Sequence, residues 1–134
     1  MSHPYARSYF LPFPAAEIVL RLPEGDRSGP LLALIDSGAD MTIIPTASLD
    51  EIGAQSEGDG ILRDQWSGRH PINFYTIDLE MGNFTLPGIV VAGDQFSKEI
   101  ILGRNVLNKL VLLLDGPSLQ TEIYESRPRI FRNS

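Results

Sequence analysis

Apolar residues along this chain fall in short runs cut by glycine, proline and polar clusters, a spacing that favours strands over helices. Residues 17–22 form a first run rich in branched side chains, and residues 23–30, with Pro23, Gly25, Gly29 and Pro30, read as a turn-forming loop. Residues 31–35 are continuously apolar, as in a buried strand, and stop abruptly at an acid, a hydroxyl and a glycine. A short strand over 41–45 is halted by Pro45, a helical turn is expected over 46–53, and 54–60 read as a surface loop. Residues 61–75 predict a hairpin turning at Ser67-Gly68, with Pro71 better suited to an edge than to a central strand.

From 74 to 81 the pattern alternates, with Tyr75, Ile77, Leu79 and Met81 on one face and Phe74, Thr76, Asp78 and Glu80 on the other. Gly82-Asn83 is a two-residue hairpin loop leading into 84–91. Asp78, Glu80 and Asp94 are expected on solvated faces or turns. After a loop over 92–98, a strand runs into Gly103, and apolar spacing over 103–110 predicts about two helical turns. Residues 111–115 and 119–124 read as a final hairpin around Gly116-Pro117-Ser118. The pattern is all-β with one short α-helix near the C-terminus.

Residues 1–15 form an arm containing Pro4, Pro12 and Pro14, whose aromatics Tyr5, Tyr9, Phe10 and Phe13 are spaced too irregularly for a helix. Such an arm is either mobile or lies against a partner, and the aromatics favour the second. The main domain is expected over 16–126, and 127–134, with Arg127, Arg129 and Arg132, read as a solvated tail.

Two stretches carry the chemistry. Asp36-Ser37-Gly38-Ala39-Asp40 follows the strand at 31–35, and Ile101-Leu102-Gly103-Arg104-Asn105 ends a second apolar strand far downstream. Asp-Ser-Gly alone is a common turn in which the aspartate bonds its own backbone. The pair, each preceded by an apolar strand in a single-domain chain, resembles the retropepsin family, the dimeric aspartic proteases that include the retroviral enzymes. The resemblance implies a closed, barrel-like single lobe with a flap hairpin, here at 61–75. The retroviral flap tip is glycine-rich, whereas this one reads Asp64-Gln65-Trp66-Ser67-Gly68-Arg69.

Composition narrows the remaining classes. The 134 residues contain no cysteine, which excludes disulfides, thiolate zinc sites and a cysteine nucleophile. A net charge of −6 offers no basic face for phosphates, so no nucleic-acid partner is expected. His3 and His70 show no metal-ligand spacing, and neither a metal nor another cofactor is expected. The first residues do not read as a signal peptide and no run is long enough to cross a bilayer, so a cytoplasmic location is expected.

By resemblance, Asp36, Ser37 and Gly38 are the catalytic residues of an aspartic endopeptidase. Only one Asp-Ser-Gly is present, so the implied enzyme is a twofold homodimer that hydrolyses peptides with a water held between two Asp36 carboxylates. Ser37 would bond across the dimer floor, while Gly38, Ala39 and Asp40, with Trp66, Ser67 and Gly68 of the flap, would contact a peptide or protein substrate. Trp66, the only tryptophan, could equally cover a hydrophobic edge. Gly103 and Arg104 would support the site, with Arg104 pairing with Asp40. The alternatives are a catalytically inactive dimeric peptide-binding module of the same fold and a domain cut from a larger self-processing protein.

Overall fold

A computed structural model describes residues 1–63 and 68–129. In chain order the elements are β1 (Ser2–Pro4), β2 (Ala15–Arg21), β3 (Leu31–Ile35), β4 (Ile43–Pro45), α1 (Thr46–Glu51), β5 (Gly58–Arg63) and β6 (Arg69–Met81). They continue as β7 (Phe84–Asp94), β8 (Ile100–Leu102), α2 (Arg104–Leu107), β9 (Val111–Asp115) and β10 (Gln120–Tyr124). The all-β expectation holds; the helical turn expected over 46–53 is α1, and α2 is the short helix expected near the C-terminus.

The larger sheet runs β2-β3-β8-β4-β7-β6-β5, and β2 also pairs with β6, closing six strands into a barrel. The alternating stretch supplies much of its filling: Tyr75, Ile77, Leu79 and Met81 point inward with Ile18, Leu20, Ile44 and Leu102. The flap strand and the alternating strand, expected as separate elements, are one 13-residue strand, β6. One end of β6 pairs with β5 and the other with β2, so tertiary pairing carries it through Pro71. Pairing also extends β5 back to Gly58, inside the expected loop, where Glu57 N–H donates to the Phe74 carbonyl (2.8 Å).

Asp78 departs from its expected solvated face. A register shift between Ile77 and Leu79 sets two residues of β7, Pro87 and Gly88, opposite Asp78, and its carboxylate is buried there. There it accepts the Gly88 N–H (3.0 Å) and faces the Arg21 guanidinium (3.3 Å). Gly88 sits at φ 64°, a left-handed conformation that favours glycine. Asp94 is also buried, at a strand end where it accepts the Phe96 N–H (2.9 Å).

The N-terminal arm folds on its own chain. β1 joins β10 and β9 in a three-stranded sheet, and Ala6 and Phe13 exchange two backbone hydrogen bonds (2.8 and 2.9 Å). Tyr9 and Phe13 then cover Leu34 and Ile101 on the outer face of β3 and β8, and the Tyr9 hydroxyl donates to Glu99. His3 is buried in this seam and its Nδ1 accepts the Glu17 N–H (3.1 Å).

Burial of the ring and the nearby N-terminal ammonium lower the His3 pKa below 6.5, while Glu17 and Glu122 oppose them. A base whose folded value is depressed favours the fold in its neutral form. The stabilisation is therefore complete above pH 6.5 and is lost as pH falls from 6.5 through the lowered folded value. Melting is expected at a lower temperature at pH 5 than at pH 7.5, and His3→Phe should reduce that difference. An unchanged pH dependence in the variant would remove His3 as its source.

Candidate active site

The two motif strands pair in parallel, Leu34 with Ile101 and Ile35 with Leu102, so both end at the same level of the sheet. The Asp36 N–H donates to the Leu102 carbonyl (3.1 Å), continuing that ladder by one residue. The chain then turns: Ala39 N–H donates to the Asp36 carbonyl (3.2 Å), and Gly38 N–H to Asp36 Oδ1 (2.9 Å). The carboxylate is thus fixed by its own turn, half-buried at the strand end. Among the described residues no other group donates to it. A side chain at position 38 would place its first carbon 3.1 Å from Asp36 Oδ1, so glycine allows this close approach.

The second motif closes on the first from below. Arg104 N–H donates to the Ala39 carbonyl (2.8 Å) and Asn105 N–H to the Asp40 carbonyl (3.2 Å). Gly103 lies against backbone: a Cβ there would stand 2.5 Å from the Met41 carbonyl carbon and 2.6 Å from its oxygen. The expected Arg104–Asp40 ion pair is not made among the described residues. Arg104 Nη1 donates instead to the Ser37 carbonyl (2.8 Å), and Asp40 is exposed. The guanidinium therefore braces the backbone of the Asp36 turn.

Sequence reasoning passed over the strongest brace. Asn105 Oδ1 accepts from both the N–H and the hydroxyl of Thr42 (2.9 and 2.8 Å), and its Nδ2 donates to the Val90 carbonyl (2.8 Å). The Thr42 hydroxyl in turn accepts the Gly103 N–H (3.1 Å) and is fully buried. A polar residue embedded in the apolar stretch 41–44 was the signal available for Thr42. Asn105→Ala would strand these buried donors, at about 1–3 kcal/mol for each left unsatisfied. Urea denaturation should show the loss; an unchanged midpoint would mean that the bonds contribute nothing.

Beside the Asp36 turn lies a cleft of about 300 Å³ lined by Asp40, Met41, Ile61, Arg63, Ile72 and Phe74. It separates the motif loop from β5 and β6, the two strands of the expected flap. Its walls combine apolar side chains with a carboxylate and a guanidinium. Gly68 immediately precedes β6, whereas Trp66 and Ser67 fall outside the described residues. Among those residues, no group of three or more His, Cys, Asp or Glu could hold a metal ion. No helix is long and apolar enough to cross a membrane.

The equine-lentiviral EIAV protease, in complex with the inhibitor HBY-793, superposes with a TM-score of 0.60 over 75% of this chain and 91% of its own, at 18% identity. The fold is retropepsin-like. A retropepsin-like aspartic protease from Rickettsia conorii matches over 87% of this chain and 97% of its own (TM-score 0.52, 15% identity). The retroviral protease-like domain of Ddi1 from Leishmania major covers 87% and 98% (TM-score 0.51, 14% identity). No protein-family model matches the sequence, and no curated protein sequence does. The retropepsin-like fold thus emerges from backbone geometry at identities where overall sequence comparison is silent.

Proposed function

We propose that this chain is one half of an aspartic endopeptidase, completed by a second copy that supplies the other Asp36. The observation that carries this reading is the Asp36 carboxylate at the paired ends of β3 and β8, held by its own turn beside a cleft of mixed polar and apolar lining. Two carboxylates a few ångströms apart hold one proton between them. The ionised one takes a proton from a bound water as the oxygen attacks the peptide carbonyl carbon. The protonated one donates to the carbonyl oxygen. Collapse of the tetrahedral species breaks the C–N bond, with a proton delivered to the leaving amine.

In this reading Ser37, exposed on the turn, bonds across the twofold floor. Gly38 and Ala39 leave room for an extended peptide backbone, which Asp40 contacts at one side. Trp66, Ser67 and Gly68 belong to the flap that covers it. Met41, Ile61, Ile72 and Phe74 would take an apolar substrate side chain, while main-chain bonds supply grip.

The test is incubation of the purified protein with an unstructured protein substrate from acid to neutral pH. Cleavage should follow a bell-shaped profile with its maximum on the acid side, because the pair works with one proton and not with none or two. Binding without cleavage at any pH would replace this reading with that of a dimeric peptide-binding module.

A further inference from the structure

Among the described residues, two pairs of arginines oppose one another across strands, and the fold neutralises one of them. Arg21, at the end of β2, lies opposite Arg27 across an antiparallel bridge. Like charges set opposite one another in a sheet repel. Here β6 supplies the remedy: Glu80 faces both guanidiniums, Oε1 towards Arg21 (3.6 Å) and Oε2 towards Arg27, and Asp78 meets Arg21 as well (3.3 Å). One carboxylate thus joins two opposed arginines.

The second pair is Arg63, the last residue of β5, and Arg69, the first of β6. They are direct register partners, so their side chains leave the same face of the hairpin with Cβ atoms about 5 Å apart. Both are exposed, and among the described residues neither makes an ion pair. The next pair on that face is Ile61 with Pro71, and Asp59 lies a further pair away, about 13 Å from Arg63 along an extended strand. The position of this pair gives it a use. Arg63 lines the cleft beside the Asp36 turn on the side of β5 and β6, and Asp40 lines it on the other.

We propose that Arg63 and Arg69 select substrates with an acidic side chain near the scissile bond, the substrate carboxylate taking the place that Glu80 fills between Arg21 and Arg27. This rests on the protease reading of the cleft. An anion between two guanidiniums is held by charge-assisted hydrogen bonds and also offsets the repulsion between them, so the pair attracts it more strongly than one cation would. Arginine suits the task because its planar fork can meet both oxygens of a carboxylate. Asp40 repels a carboxylate from the opposite wall, so the acid has one favourable side and orients the peptide as well as selecting it. The net charge of −6 repels acidic peptides at long range, which places the selection on these two residues and not on the general field.

Three pools of fluorescein-labelled peptides test this. Their members are degenerate in apolar and uncharged polar residues, and each carries one Glu in the first pool, Gln in its place in the second and Lys in the third. At about pH 5.5, where a glutamate is ionised, wild type should cut the Glu pool roughly tenfold faster than the Gln pool, and the Asp36→Asn protein should bind it roughly tenfold tighter by fluorescence anisotropy. Arg63→Gln combined with Arg69→Gln should bring both ratios close to one. Arg63→Lys with Arg69→Lys should keep glutamate preferred, whereas Arg63→Glu with Arg69→Glu should transfer the preference to the Lys pool. Lys98→Gln removes an exposed cation that does not line the cleft, and should leave the ratios as in wild type.

Equal cleavage of the Glu and Gln pools by wild type, or a preference for glutamate that survives the double change to glutamine, would overturn the selection and leave the protease reading standing. Tighter binding of the Glu pool that the double change to glutamine removes, with no pool cut, keeps the acidic selection and replaces the protease with a peptide-binding module. A protein that neither binds nor cuts any pool overturns both.

Discussion

Asp36→Asn is expected to abolish peptide cleavage while the protein stays folded and associates as before. Asparagine has nearly the shape of aspartate, and its side-chain oxygen can still accept the Gly38 N–H that fixes the turn. It cannot take a proton from water at any accessible pH. Removal of a general base costs about 10²–10⁴ in rate, and in the proposed two-chain site the same lesion would fall on both sides of the water. Relief of repulsion between two carboxylates should leave the dimer as stable or more so. The comparison is the cleavage rate of wild type and variant at the wild-type optimum, with sedimentation run on both. Cleavage at the wild-type rate would reduce Asp36 to a turn residue and assign the proteolysis to another source.

Gly103→Ala should be among the most destabilising single-methyl additions in the chain. The reason is space, since the Gly103 backbone is extended (φ −91°, ψ −179°) and open to any residue. The added carbon would sit 2.5 and 2.6 Å from main-chain atoms of Met41, which cannot rotate away as a side chain could. Overpacking of a tight core typically costs about 1–3 kcal/mol, and a backbone obstacle puts this site at the upper end or above. Gly29→Ala is the control, because nothing lies within 4 Å of a Cβ there. Chemical denaturation should separate the two variants. Activity should fall further than stability in Gly103→Ala, because displacement of the 39–42 backbone moves the turn that carries Asp36, and a misplacement of about 1 Å can cost 10²-fold in rate. Equal denaturation midpoints for both variants would mean that the second motif does not pack on the first as described.

The sequence by itself determined the elements whose cause is local. The run at 31–35 is apolar throughout because β3 lies between β2 and β8, and it became a strand with those bounds. Gly82-Asn83 turned the long hairpin where expected, with Gly82 at φ 59°. Tyr75, Ile77, Leu79 and Met81 alternate inward because period two is a property of the strand itself.

Tertiary structure decided what depends on residues distant in sequence. Asp78 shares the polar face in any local reading, yet a bulge and the remote partners Arg21 and Gly88 bury it. Arg104 and Asp40 invite pairing as opposite charges, but the guanidinium meets the Ser37 carbonyl instead. Thr42 and Asn105 interlock across 63 positions, a contact created only when β3 and β8 align in parallel. Composition could name the acid and the glycines of the site. Alignment of two short strands from opposite ends of the domain was needed to bring their loops within hydrogen-bonding distance, because hydrogen bonds act over about 3 Å and are indifferent to separation along the chain.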